Sequence, residues 1–272
     1  MDSPKGFAQK RQLSPYLALV ATLILFSILA TILNELTSGG RLQPAHIVAY
    51  AMPFSVGTLL TGTLIAGDAS KLKGLTGRDN LSRLAFMGLL SPFLYFILVT
   101  AAFARLGSMK LTVEAYVLNA TWPVLMVVFA RPFAGEELTV RKIIALLVGF
   151  LGIFYILTEG NFHTFKISDW QGDGLAFLAA IVFGLYSALL GAPTFKKILD
   201  TLTPLVAVLG FQCFSLLYSW VYLLATSQLV PPTWAEWGLL AIAGAGSFGI
   251  AYVCLYYARC RLNAAIVAVN MF

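Results

Sequence analysis

Eight apolar runs, separated by short polar segments, leave this 272-residue chain few folds to choose from. About 20 predominantly apolar residues cross a ~30 Å hydrocarbon layer as one helix. Composition agrees with that reading. The chain is 59% hydrophobic and 11% charged, with mean hydropathy +0.85, whereas a soluble domain carries roughly 25% charged residues. The expected fold is therefore an all-α polytopic membrane protein. The runs cover residues 16–33, 44–66, 84–104, 114–130, 143–157, 174–190, 205–225 and 237–258. The first is longer than a signal-peptide core and has no convincing small-residue cleavage site after it, so it reads as a retained helix. Asn34 and Glu35 are expected to close it before the Ser-Gly-Gly turn. A ninth run starts at Asn263 and the sequence stops about ten residues later, which rise only ~15 Å. The expectation is eight full spans and a partial ninth.

The basic residues sort by side. With the N-terminus cytoplasmic, that side receives Lys5, Lys10, Arg11, Lys71, Lys73, Arg78, Arg83, Arg131, Arg141, Lys142, Lys196, Lys197, Arg259 and Arg261. The other side receives Arg41, Arg105, Lys110 and Lys166. Fourteen against four is a strong positive-inside bias, and removing one span would invert every later loop. The same distribution explains the net charge of +6 without nucleic acid, because the charges sit in interhelical segments. Cys213, Cys254 and Cys260 have no redox or ligand spacing. His46 and His163 cannot build a metal centre by themselves, so neither metal nor cofactor is expected.

The stretch from Glu114 to Thr139, EAYVLNATWPVLMVVFARPFAGEELT, carries the most chemistry. Pro123 sits inside its apolar run, one turn after Asn119 and beside Trp122. An interior proline costs a soluble helix ~3 kcal/mol, and a membrane helix keeps one where neighbours or a cavity satisfy the freed backbone. A polar, kinked helix of this kind reads as part of a pathway. Glu137 and Thr139 read as a capping arrangement for the next helix.

An internal repeat is also legible. AAFAR at 101–105 is similar to LYYAR at 255–259, each followed by a polar turn and a new helix, with Asn119 and Asn270 as possible counterparts. Five spans per half place the halves in opposite orientations, a recurring transporter architecture with solute held near the midplane. The expected division is a first half over 1–158, an outer linker over 159–173 and an incomplete second half over 174–272.

AYVLNATWPVLMVVFA, GEELT, the helix with Gly149 and Gly152, and GDGLAFLAAIVFGLYSAL together resemble the drug/metabolite transporter superfamily in its EamA branch. Tyr95, Glu114, the Asn-x-x-Trp-Pro of the fourth span and AYVCLYYARCRLNAAIVAVN look most like the aromatic amino-acid exporters of that branch. The resemblance covers nearly the whole chain. It implies ten helices in the inner (plasma) membrane, both termini cytoplasmic, exporting amino acids or related metabolites by alternating access through a central cavity. The second half of helix nine and all of helix ten are missing from that pattern, so the chain looks C-terminally truncated.

Candidate solute-binding residues are Tyr95, Asn119, Trp122, Tyr186, Tyr252 and Asn270, with Pro92, Pro123 and Glu114 as kink or gating positions. Each has a plainer reading: Asn119 as interhelical glue, the tyrosines and Trp122 as packing, and Glu114 as a charge favoured by a helix start. Gly149 and Gly152 read as close-contact positions. The span centres are almost free of ionisable groups, which speaks against a buried proton relay. The sparse charge suits a neutral or zwitterionic solute better than a polyanion, and export of drugs or other metabolites is the alternative within transport. Outside transport, the alternatives are a membrane assembly subunit or a membrane-embedded enzyme. AGSFG at 245–249 is superficially like a serine elbow, but its first position is alanine and no histidine lies in a nearby span to act as base. The expected partners are a small solute and the lipid bilayer, with a homo-oligomer left open.

Overall fold

The computed structural model of the chain describes residues 5–106, 109–165, 167 and 169–272. Among the described residues, eight helices are long and apolar enough to cross a membrane. They are α1 (Pro15–Ser38), α2 (Pro44–Ile65), α3 (Arg78–Leu106), α4 (Val113–Ala134), α5 (Val140–Leu157), α6 (Trp170–Leu189), α7 (Pro204–Thr226) and α8 (Trp234–Arg259). A short helix, α9 (Ala264–Asn270), follows. No strand occurs among the described residues.

Every expected span is present, and most run a few residues past their apolar stretches. α1 runs through Asn34 and Glu35 to Ser38, and the chain turns at Gly40, whose φ of +62° suits a residue without Cβ. α3 starts at Arg78, before its apolar run. Its polar first turns are invisible to hydropathy but anchored, because the buried Asn80 amide donates to the Gly74 carbonyl (3.0 Å) and the Thr201 hydroxyl (3.1 Å). α8 starts at Trp234, where Thr233 and Glu236 form a reciprocal capping box. Thr139 stands at the N-cap of α5 but its hydroxyl caps nothing; Lys142 instead donates to the Glu137 carbonyl (2.6 Å).

Polar contacts sort the loops onto two ends of the bundle. At one end Arg41 pairs with Glu236 and donates to the Pro231 carbonyl (2.9 Å). Beside it the buried His46 is held by two partners. Its Nδ1 accepts from the Gln43 amide (3.2 Å), and its Nε2 donates to the Gln228 carbonyl (2.7 Å). At the same end Arg105 pairs with Asp169 (2.5 Å). At the other end, which bears most of the lysines and arginines, Thr203 donates to Asp68 (2.9 Å) and Arg259 pairs with Glu136 (2.7 Å).

α6 is the central helix, with 67% of its most apolar stretch buried, whereas α5, at 6%, lies on the periphery. Lipid tails are as apolar as leucine, so helix association in a bilayer depends on close packing and polar contacts. Two pairs of contacts show this with matching geometry. Gly88 of α3 seats against the Phe211 carbonyl of α7, where an added Cβ would also stand 2.9 Å from the Phe214 Cβ. Gly244 of α8 seats against the Ala51 carbonyl of α2 in the same way, 2.9 Å from the Phe54 Cβ. A wide-turn segment overlaps or follows each glycine, Leu89–Leu94 in α3 and Ala243–Ile250 in α8. Within the first of these Ser91 leaves the helical region beside Pro92 (φ −154°, ψ 131°). Of the two α5 glycines, Gly149 faces the Phe272 ring and Gly152 faces open space.

Candidate functional site

The break in α4 builds the site. Its first segment belongs to a helix, Met109–Asn119, that begins four residues before the apolar span and ends at Asn119, and its second, Trp122–Ala134, starts with Pro123 in the first turn. Pro123 has no N–H to offer the Asn119 carbonyl four residues back. The connecting turn is tightened by Thr121, whose amide (3.2 Å) and hydroxyl (2.7 Å) both donate to the Leu118 carbonyl. Glu114 is 3% exposed and lies more than a turn inside the first segment, not at its start, so it is past the reach of the helix dipole.

Two cavities meet at this break. The first, about 140 Å³, is walled by Phe26, Leu29, Ala30 and Leu33 of α1, by Tyr95, Phe96, Val99 and Phe103 of α3, by Tyr116, Asn119 and Trp122 of α4, and by Phe183 of α6. The second, about 160 Å³, lies on the other side of the same turn, against Pro123, Ile153, Leu157, Met271 and Phe272. Tyr116, Asn119 and Trp122 belong to both.

The first wall is aromatic and ordered around Phe183. Tyr95 stacks on it at 4.4 Å and Trp122 meets it edge-on at 4.7 Å. Gly184 makes this possible, since a Cβ there would stand 3.0 Å from the Trp122 carbonyl and 2.8 Å from the Leu125 Cβ. Asn119 donates from Nδ2 to the Tyr95 hydroxyl (3.3 Å), and among the described residues its Oδ1 has no hydrogen-bond partner. Among the described residues no charged side chain lines either cavity. Together these features form a small, mostly apolar chamber with one free amide acceptor. Such a chamber can stack a planar or apolar group and accept one hydrogen bond.

Tyr95, Asn119 and Trp122 thus come together as one wall. Tyr186 and Tyr252 stand beside the cavity, fully buried. Tyr252 shares a 2.6 Å hydrogen bond with Ser91, next to Pro92, and Tyr186 stacks on Phe183 at 5.9 Å. Asn270 does not join them. It ends α9 on an exposed face and donates to the Ile266 carbonyl (2.8 Å), while its neighbours Met271 and Phe272 line the second cavity. Phe183, Phe103 and Tyr116 were not singled out by sequence reasoning. Spacing points to two of them, since Phe183 lies one turn before Tyr186 and Tyr116 one turn before Asn119.

The family model of the EamA-like transporter family matches residues 13–158, which hold the first five spans and the broken helix. The chain belongs to the EamA-like transporter family. It is accordingly a multi-pass membrane transporter of small solutes. A solved crystal structure, described only as that of a protein, shares this EamA-like fold. It is similar over 94% of this chain and 82% of its own at 22% identity, with a TM-score of 0.73. No curated protein matches.

Proposed function

We propose that this protein exports small neutral or zwitterionic metabolites, aromatic amino acids first among them, by alternating access through the cavity at the α4 break. The observation that carries the reading is the pairing of an aromatic wall with the free Oδ1 of Asn119. A flat side chain can stack against Tyr95 and Trp122, an ammonium can donate to Oδ1, and no lining charge opposes a zwitterion. Tyr186, Tyr252 and Pro92 form the deeper part of the pathway, and Pro123 and Glu114 set the shape of the broken helix. Asn270 stands outside the chamber and is the repeat counterpart of Asn119: each is the last residue of its helical segment.

The halves are residues 1–158 and 174–272 in inverted orientation. The matched contacts of Gly88 with α7 and Gly244 with α2 support this, because α3 and α8, and α2 and α7, each stand five spans apart. The fourteen-to-four basic bias supports a cytoplasmic N-terminus, and the resemblance to the aromatic amino-acid exporters supports the plasma membrane.

The test is export from cells loaded with a phenylalanine-containing dipeptide. Faster appearance of phenylalanine outside supports the assignment, and no export at full membrane abundance removes it. The uncharged lining also suits apolar drugs. Competition by such compounds in the same assay, with no amino-acid release, would favour that second reading.

A further inference from the structure

The basic end of the bundle carries a group that the cavity does not use. Arg259 ends α8 and is completely buried, an unusual place for a charge at the edge of a membrane span. Its guanidinium donates from Nε to the Ser187 carbonyl (3.1 Å) and from Nη1 to the Leu262 carbonyl (3.1 Å), and Nη2 pairs with Glu136 Oε1 (2.7 Å). It lies flat over Gly191, where any side chain would displace it. The second oxygen of Glu136 accepts the Ala264 amide (2.7 Å), one of the orphan donors that open α9. Ser187, Gly191, Arg259, Leu262 and Ala264 all belong to the second half of the chain, and Glu136 reaches them from the α4–α5 turn of the first.

Between this pair and the first cavity stands a block of tyrosines. Tyr186, Tyr252 and Tyr256 are fully buried, and Tyr256 donates to the Phe195 carbonyl (3.2 Å). The cavity lies toward the opposite end, against Leu33, Phe103 and Tyr116. That end holds Arg105, the counterpart of Arg259 in the AAFAR and LYYAR repeat. The Arg105 side chain is 47% exposed, against 0% for Arg259.

We propose that the Glu136–Arg259 pair is the latch that keeps the basic end shut while the cavity faces the other end, and that its opening admits solute from the basic side. The proposal rests on the transport reading above. Glu136 holds two elements of the second half at once, α8 through Arg259 and α9 through its first amide. Releasing one carboxylate therefore frees both elements from the α4–α5 turn. A guanidinium that loses this partner must rehydrate, which draws water into the basic end.

Thiol labelling tests the latch without any solute. Cys260 adjoins the pair and its Sγ faces the Leu190 carbonyl (3.7 Å); burial pushes its thiol up to about 11, so it labels slowly while shut. With Cys213 and Cys254 replaced by alanine, Cys260 reports on the basic end. An Ala30→Cys reporter, with all three native cysteines replaced, reports on the cavity. Both are read with a membrane-impermeant maleimide in sealed vesicles of either orientation.

Glu136→Gln is expected to raise the Cys260 rate about tenfold by shifting the population toward the basic-open state. The same change is expected to lower Ala30→Cys labelling, and the exchanged pair E136R/R259E to return both rates toward the parent values. Unchanged rates would overturn the latch. So would a rise at both reporters, which marks a loosened bundle. Should Glu136→Gln reach the membrane poorly, Glu136→Asp is read the same way, and the same rise at both reporters, or no change, counts against the proposal. Reciprocal labelling without solute movement in any assay would leave the latch standing and remove the transport reading, whereas export with unchanged labelling removes the latch alone.

Discussion

Asn119 and Tyr95 divide one small task between them. The amide donates to the phenol and leaves its acceptor oxygen without a partner beside the chamber. Interhelical hydrogen bonds in membranes average ~0.6 kcal/mol, so neither side chain is worth much to stability. Asn119→Ala is therefore expected to leave membrane abundance and the melting temperature nearly unchanged. It should lower solute export about tenfold, the factor given by ~1.4 kcal/mol of lost binding. Tyr95→Phe keeps the stack on Phe183 and loses only the hydroxyl, so its effect on export should be smaller. Equal loss of abundance and export in Asn119→Ala would make it a packing residue. The Asn-x-x-Trp-Pro spacing made Asn119 visible in the sequence. Spacing puts Phe183 on the same helix face as Tyr186, but nothing in the sequence marks which of the twenty phenylalanines stack on Tyr95 and Trp122.

At the scale of elements, glycines decide where helices approach. Gly88 and Gly244 lie against backbone carbonyls of α7 and α2, which cannot swing aside as a side chain can. Alanine at either position overpacks the contact, at a cost of ~1–3 kcal/mol. Gly152→Ala meets nothing within 4 Å and should be neutral. Thermal unfolding in detergent, followed by loss of monodisperse protein, ranks the three; a Gly88→Ala variant as stable as Gly152→Ala would contradict this packing. The expectation that Gly149 and Gly152 both permit close contact holds for Gly149 alone, which faces the Phe272 ring. Helical spacing put the two on neighbouring faces of α5, but only the position of α9 determined which face is covered.

For the whole molecule, the ends join what the apolar spans leave unspecified. Arg105 hydrogen-bonds Asp169, which also caps α6 by accepting the Gln171 amide (3.3 Å), and this holds the Asp169 carboxyl below its usual 3.8. A depressed folded-state value stabilises the fold above the unfolded value and is lost as pH falls through the folded one. The stability gap between the parent and Asp169→Asn should accordingly be constant above about pH 5 and close on further acidification. Melting temperatures across that range measure it, and a gap that widens in acid would reverse the assignment. Screening at this exposed pair keeps the gap small.

Class, the number and order of spans and the broken fourth helix follow from the residues one after another, because the bilayer selects for local length and apolarity. Asn119, Trp122 and Pro123 were legible for the same reason, as polar and proline interruptions within an apolar run. The inward face of each span is different. Lipid and protein interior are equally apolar, so a span bears little sequence contrast between its two sides. The meeting of Tyr95, Trp122 and Phe183 from three helices, the exclusion of Asn270 from the chamber, and the pairing of Glu136 with Arg259 across the two halves all depend on that inward face. Arg259 in the sequence is one more basic residue at the end of a span; its burial and its partner exist only once α6, α8 and α9 have packed around it.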